Sequence, residues 1–175
     1  MVPTLTTDRL TMRGWGEEDA ASYAEMTADP EVMRFMGGVL DAPQTWRDIA
    51  LFIGHWELRG YGLWAVEREG ALIGRVGLWQ PGGWPGLEVG WLLGRGAWGH
   101  GYATEAARAS VDYAWREVGA QQLISLIAPE NTASQRVAER LGMRPRGEYA
   151  YHGRQHVIHA LDRSMVDSAV VESTI

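Results

Sequence analysis

The stretch at residues 95–110 reads RGAWGHGYATEAARAS and sets Gly96, Gly99 and Gly101 directly against a run with helical pattern. Glycine lets a chain turn sharply. At a helix start it also exposes backbone N–H groups, where the first turn leaves donors unpaired and the helix dipole adds partial positive charge. Such a corner suits an anion, above all a phosphate. A P-loop is excluded, because it requires Gly-x-x-x-x-Gly-Lys-Ser/Thr and all sixteen basic side chains of this chain are Arg. The dinucleotide fingerprint Gly-x-Gly-x-x-Gly fits poorly: Thr104 stands where its third glycine belongs, and no acidic residue ends the following strand.

The elements around this bend can be read in order. RLTMRGW is a short strand, and residues 17–27 form a helix with an acidic first turn. Asp29-Pro30 reads as a cap followed by proline at the first helical position, opening a short helix through Met36. A third helix covers 41–59, with Trp46, Ile49, Ile53 and Trp56 on its buried face. GLWAVERE and ALIGRVGLWQ flank Glu69-Gly70 as a hairpin, QPGGWPG is a loop, and LEVGWLL is a further strand. After the glycine bend comes a helix over about 102–118, ended by Gly119. Its inner face carries Ala107, Val111, Ala114, Trp115 and Val118. QLISLIA is a buried strand, NTASQRVAERLG a helix opened by Asn131 or Thr132, and GEYAYHG with QHVIHALDR a closing antiparallel pair. A crossover helix joins parallel strands, so strands 87–93 and 123–128 should lie side by side and parallel. The bend then sits at the C-terminal end of its strand, where open α/β sheets bind ligands.

At 175 residues with ordinary apolar content the chain suits one domain. The domain is expected over 1–163, with a loose tail at 164–175. A net charge of −6 speaks against nucleic acid as a partner. The absence of Cys removes disulfides, thiol nucleophiles and Cys-ligated metals. No long apolar run or signal layout appears, so no membrane is expected and a soluble cytoplasmic protein is the default.

GLEVGWLLGRGAWGHGYATEA resembles the coenzyme A loop of the GNAT N-acetyltransferase superfamily, and its Trp-Gly-x-Gly-Tyr-Ala-Thr-Glu-Ala form resembles the ribosomal-protein alanine N-acetyltransferase branch. TDRLTMRGWGEEDAASYAEMTADPEVMRFMGG is similar to that branch's opening strand and first helices, and PENTASQRVAERLGM to its Asn-x-x-Ser helix. The resemblance implies a single α/β (α+β) domain with a mixed, mostly antiparallel sheet splayed at one parallel pair and helices on both faces. It implies acetyl-CoA as cosubstrate and no metal. The backbone at Trp98, Gly99, His100, Gly101, Tyr102, Ala103 and Thr104 would grip the pyrophosphate, and Trp91, Leu92 and Leu93 would flank the pantetheine arm. Asn131 and Ser134 would hydrogen-bond that arm, and Arg140, with Arg136, would meet the adenosine phosphates or simply form a solvated face. The family's usual Arg or Gln three residues before the first of these glycines is Gly96 here, and Arg95 lies one residue off. Gly90 would fit a bulge at the splay, or a crowded core.

The reaction implied is transfer of an acyl group from a thioester to an amine. The amine must attack unprotonated, the carbonyl oxygen needs a donor such as a backbone N–H near Leu92–Leu93, and the leaving thiolate needs a proton. Glu88, set among Leu87, Val89 and Trp91, is the candidate base, with its pKa raised if buried. Ser134 is the candidate acid, because the family's usual Tyr four residues later is Ala138 here; Tyr102 and Tyr149 are the alternatives. Trp46, Trp56, Trp64, Trp79 and Trp84 either wall an acceptor pocket or pack the core. His152, His156 and His159 cluster in sequence, but strand spacing sets 159 on the face opposite the other two, which disfavours a metal site. Three functions follow in order of fit. The first is an N-acetyltransferase acting on a protein N-terminus or a small amine, the second a non-catalytic acyl-CoA sensor, and the third a dehydrogenase-type nucleotide module. Assembly into a homodimer stays open.

Overall fold

The computed structural model describes residues 1–151 and 153–164. The chain opens with β1 (Leu5–Thr6), β2 (Thr11–Arg13), a 3-10 turn (Glu17–Asp19) and α1 (Ala20–Thr27). α2 (Ala42–Arg59), β3 (Leu63–Arg68), β4 (Ala71–Trp79) and β5 (Glu88–Leu93) follow. Then come α3 (Tyr102–Tyr113), continued by a π turn (Ala114–Val118), β6 (Gln122–Ile127), α4 (Thr132–Arg140), β7 (Arg144–Tyr151) and β8 (Arg154–Asp162). The eight strands form one sheet in the order β1-β2-β3-β4-β5-β6-β8-β7, and only β5 and β6 run parallel. This is the single mixed domain expected from the sequence. His152 and the tail beyond Ser164 lie outside the described residues.

Local chemistry sets the boundaries. Glu69 and Gly70 both adopt positive φ, 52° and 80°, which suits the tight hairpin between β3 and β4. Asp41 and Gln44 exchange side-chain-to-backbone hydrogen bonds at 2.8 Å each, a capping box that starts α2, and Gly60 in the left-handed region (φ 74°) ends it.

Two expectations about the helices are corrected here. Residues 30–36 form successive turns rather than a helix, with Met33 and Met36 donating back to Asp29 and Met33 before Gly37 and Gly38 break the chain with positive φ. So short a segment cannot repay the cost of helix nucleation. The buried face of α2 is Thr45, Ile49, Phe52, His55 and Trp56, whereas Trp46 and Ile53 are exposed. Polar Thr45 is tolerated inside because its hydroxyl pairs with that of Thr27 at 2.6 Å.

Each face of the sheet carries its own core. Trp64, Val76, Leu78, Val89 and Leu123 pack beneath α3, and on the other face Tyr23 of α1 and Ile49 and Phe52 of α2 form one cluster with the strand residues Leu63 and Leu92. The register breaks at Val66/Glu67 and Pro145/Gly147. Gly90 sits in regular register opposite Gly77 and carries no bulge. Nor is it crowded, since an added Cβ would meet no atom within 4 Å. The feature that shapes the site is the β5–β6 pair, whose ladder holds a single register match, Glu88 with Ile124, and then opens.

Candidate active site

At the end of β5 the chain turns through Arg95–Ala97 and enters α3 by way of Gly99 (φ 78°) and Gly101 (φ 81°). Both conformations are left-handed and cheap only for glycine. Gly101 caps α3 without a side-chain acceptor, so the N–H groups of Tyr102, Ala103 and Thr104 face outward with no cap. Thr104 is buried, and its hydroxyl has no hydrogen-bond partner among the described residues. The N-terminal segment holds this corner in place. The Thr7 hydroxyl donates to Glu105 Oε1 at 2.6 Å, Arg9 Nε donates to Oε2 at 2.7 Å, and Arg9 Nη1 donates to the His100 carbonyl at 3.0 Å. Burial pushes the Glu105 carboxyl up, but these bonds outweigh it and hold it below the usual range.

A cavity of about 570 Å³ lies in front of the corner. Leu92, Leu93, Trp98, Gly99, Gly101, Tyr102, Ala103 and Thr104 line one side, and Asn131, Ser134, Arg136 and Arg140 line the side formed by α4. His100 stands outside it, with its ring stacked on Tyr102 at 5.4 Å. Arg95 also lies outside, in an ion pair with Asp29 at 2.6 Å.

A second cavity, of about 700 Å³, lies on the α2 side of the sheet and includes Asp48, Phe52, Arg75, Trp79, Trp84, Glu88 and Gly90 in its lining. The two meet where β5 and β6 part: Phe35, Met36, Trp91, Asn131 and Ser134 border both. Leu87 is the residue whose carbonyl accepts from Ile124 across the sheet. Because successive residues of a strand point their backbone groups to opposite sides, the N–H groups of Trp91 and Leu93 face the opening, and that of Leu92 faces β4. The backbone donors that face the opening are therefore those of Leu93 and its neighbour Trp91, and not that of Leu92.

Glu88 sits at the point of opening. Its Oε1 accepts the N–H of Leu126 at 3.1 Å, and its Oε2 accepts Trp84 Nε1 at 2.7 Å. Burial raises the carboxyl to about 7, against the pull of these two donors and of Arg75. Burial is the cause expected from the sequence, but the groups that enclose the carboxyl differ. Leu87 and Val89 follow the strand's alternation away from the carboxylate, and Trp84 and the edge of β6 enclose it instead. Ser134 lies in the first turn of α4, its N–H capped by Asn131 Oδ1 at 3.1 Å. Its Oγ accepts Trp91 Nε1 at 3.2 Å, which leaves the hydroxyl hydrogen free to donate into the junction.

The other candidates are placed differently. Tyr102 borders the smaller cavity at the start of α3, but it is buried with Arg9 and Arg68 over its ring, and Tyr149 lines neither cavity. Ala138 is fully buried, so the position of the family's usual tyrosine faces the core here. Of the five tryptophans considered for a pocket wall, Trp79 and Trp84 line the larger cavity, Trp56 and Trp64 are core, and Trp46 is exposed. His156 borders that cavity while His159 is buried, so the two share no site. Sequence reasoning missed Asp48 and Arg75. Neither belongs to a motif, and only the register of β4 and the pitch of α2 bring them to the cavity.

Residues 9–144 match the Acetyltransferase (GNAT) domain family. The chain belongs to the GNAT acetyltransferases. It is 38% identical over 149 residues to the uncharacterized protein YkkB of Bacillus subtilis, covering 79% of this chain and 84% of that protein. An acetyltransferase structure from Agrobacterium tumefaciens superposes with a TM-score of 0.85 at 31% identity, covering 93% of this chain and 96% of the other. The ribosomal-protein acetyltransferase RimL in complex with coenzyme A superposes with a TM-score of 0.78, covering 91% and 98%. At 15% identity that likeness concerns the fold alone. Membership makes this GNAT chain an acyltransferase, and its mostly antiparallel sheet is not the doubly wound parallel sheet of a dehydrogenase module.

Proposed function

We propose that this GNAT protein transfers an acetyl group from acetyl-CoA to a primary amine by direct attack with both substrates bound. The observation that carries the reading is the meeting of two cavities at Trp91 and Ser134, one backed by an uncapped helix start and the other holding a carboxyl raised to about 7. The N–H groups of Tyr102, Ala103 and Thr104, with the orphaned Thr104 hydroxyl, suit the diphosphate of coenzyme A, which fits the coenzyme bound by RimL. Arg136 and Arg140 supply positive charge on the facing wall. The pantetheine arm takes the open edge of β5 as an added strand.

Glu88 accepts the proton that the attacking ammonium must lose, directly or through one water. The amine nitrogen then bonds to the thioester carbonyl carbon while oxygen charge builds against the Trp91 or Leu93 N–H. As the C–S bond breaks, the Ser134 hydroxyl donates to the sulfur, and the second proton leaving the new amide nitrogen restores the hydroxyl, so that free thiol and neutral amide depart. Glu88→Gln and Ser134→Ala test these roles. Each lowers turnover by about 10²-fold or more while coenzyme affinity, measured by calorimetry, holds within a few-fold. Undiminished turnover in both variants refutes the assignment, and absence of turnover with any amine returns the protein to an acyl-CoA-binding role.

A further inference from the structure

Arg75 is the group that acetyl transfer alone leaves unused. The register of β4 on β5 pairs Arg75 with Leu92, Gly77 with Gly90, and Trp79 with Glu88. Directly opposite residues of an antiparallel pair share a face, so Arg75 and Glu88 stand at the two ends of one strip of sheet. The two glycines between them carry no side chain, and a Cβ on Gly90 would meet only open space. The strip is the floor of the larger cavity.

The guanidinium is placed firmly. Its Nε donates to the hydroxyl of buried Tyr23 at 2.9 Å, and its carbon lies 5.4 Å from the Phe52 ring centroid. Its two terminal nitrogens have no hydrogen-bond or ion-pair partner among the described residues. Asp48 lies near enough on α2 to feel Arg75, yet it does not come within ion-pair distance. A partly desolvated arginine whose fork is unmatched is costly unless a ligand completes it, and a planar fork of N–H donors matches a carboxylate in bidentate geometry.

On the reading that this site acetylates an amine, we infer that the acceptor is a small amino acid-type molecule, with its carboxylate on Arg75, its amine toward Glu88 and the junction, and its side chain against Trp79, Trp84 and Phe52. A protein N-terminus, which presents an amide in place of that carboxylate, leaves the fork empty.

The experiment compares matched acceptors: the common amino acids other than cysteine and proline, their carboxamides, the corresponding decarboxylated amines, and short peptides. Thiol release from acetyl-CoA is read with a thiol reagent, to which this Cys-free chain contributes nothing. For the preferred side chain, kcat/KM for the amino acid should exceed that of its carboxamide and its decarboxylated amine by roughly 30-fold or more, mainly through KM. In Arg75→Gln that ratio should fall toward one, and Arg75→Lys should keep part of it. Each ratio compares two acceptors on one enzyme preparation, so changes in the folded fraction or in Glu88 ionisation cancel. Equal turnover of amines, amides or peptides, or a ratio that survives Arg75→Gln, overturns the inference while leaving acetyl transfer intact. No thiol release with any amine overturns both.

Discussion

Replacing Trp84 with Phe deletes one N–H while keeping an aromatic ring against Tyr151, whose centroid lies 4.9 Å away. That N–H donates to Glu88 Oε2 at 2.7 Å, and it is one of two hydrogen bonds that hold the carboxyl at about 7 against burial. A hydrogen bond to a charged acceptor is worth about 1.5–3 kcal/mol, and one pKa unit corresponds to about 1.4 kcal/mol. The loss therefore raises Glu88 by about one unit at the least. At about pH 7 the carboxylate fraction falls from one half to about a tenth, so kcat/KM drops about five-fold. Well above pH 9 the two enzymes converge. The assay is kcat/KM against pH with a single acceptor, whose own ionisation shapes both profiles alike. An acidic limb that stays in place would show that Glu88 is not the ionising base. A uniform fall at every pH would show that Trp84 acts by shaping the pocket.

Thr104→Val should leave the denaturation midpoint of the free protein unchanged or slightly raised, because the hydroxyl it removes is unpartnered, while coenzyme A affinity falls several-fold by calorimetry; a midpoint loss with unchanged affinity contradicts this. Gly90→Val places methyls in open space without a strained φ, so it should raise KM for bulky acceptors with folding intact; unchanged selectivity across acceptor size refutes that floor. Arg13 bonds Asp19 and Glu67, both at 2.7 Å, and Arg13→Met, which strands two carboxylates, should cost about 3 kcal/mol in urea unfolding; a loss below about 1 kcal/mol refutes it. His55 lies between the Tyr61 carbonyl and the Gln80 N–H, and burial lowers its pKa below 6.5. The unfolded chain then binds the proton more readily, so stability is lost as pH falls below about 6.5, while Glu88 contributes with the opposite sign as pH falls from about 7 toward 4.5. The stability advantage of the wild type over His55→Gln, which isolates the histidine, should shrink between about pH 7.5 and 5.5; a constant gap refutes it.

The parts of the fold written in local chemistry were legible. Glu69-Gly70 could only turn tightly, Asn131 or Thr132 had to open its helix, and a helix between two strands required the parallel pair. The inner face of α2 was not legible, because two interleaved spacings compete there. Trp46 and Ile53 make the more apolar stripe, but Thr45 and His55 are buried because Thr27, Tyr61 and Gln80 satisfy their polar atoms. Hydrophobicity alone cannot register partners that come from other elements. Arg75 and Asp48 escaped notice for the same reason, since each acquires meaning only through what lies across the sheet.

Glu88 shows most clearly how position sets a side chain's environment here. Its sequence neighbours suggested burial, yet alternation along a strand turns them to the other face. Had β5 and β6 stayed paired, the Leu126 N–H would have gone to a β5 carbonyl and the carboxylate would have had no place at the strand edge. The separation of the strands does three things together. It exposes the Trp91 and Leu93 N–H groups, it joins the two cavities at Ser134, and it leaves the Leu126 N–H for Glu88 to take. On the proposed reading, a base at the mouth of the opening and a thioester along its edge both follow from one missing ladder. A substitution that restored strand pairing beyond Ile124 should abolish turnover even with Glu88 and Ser134 intact. Hydrogen exchange at Trp91 and Leu93 would report that closure directly, and fast exchange at both amides in an inactive variant of this kind would break the link between the opening and the chemistry.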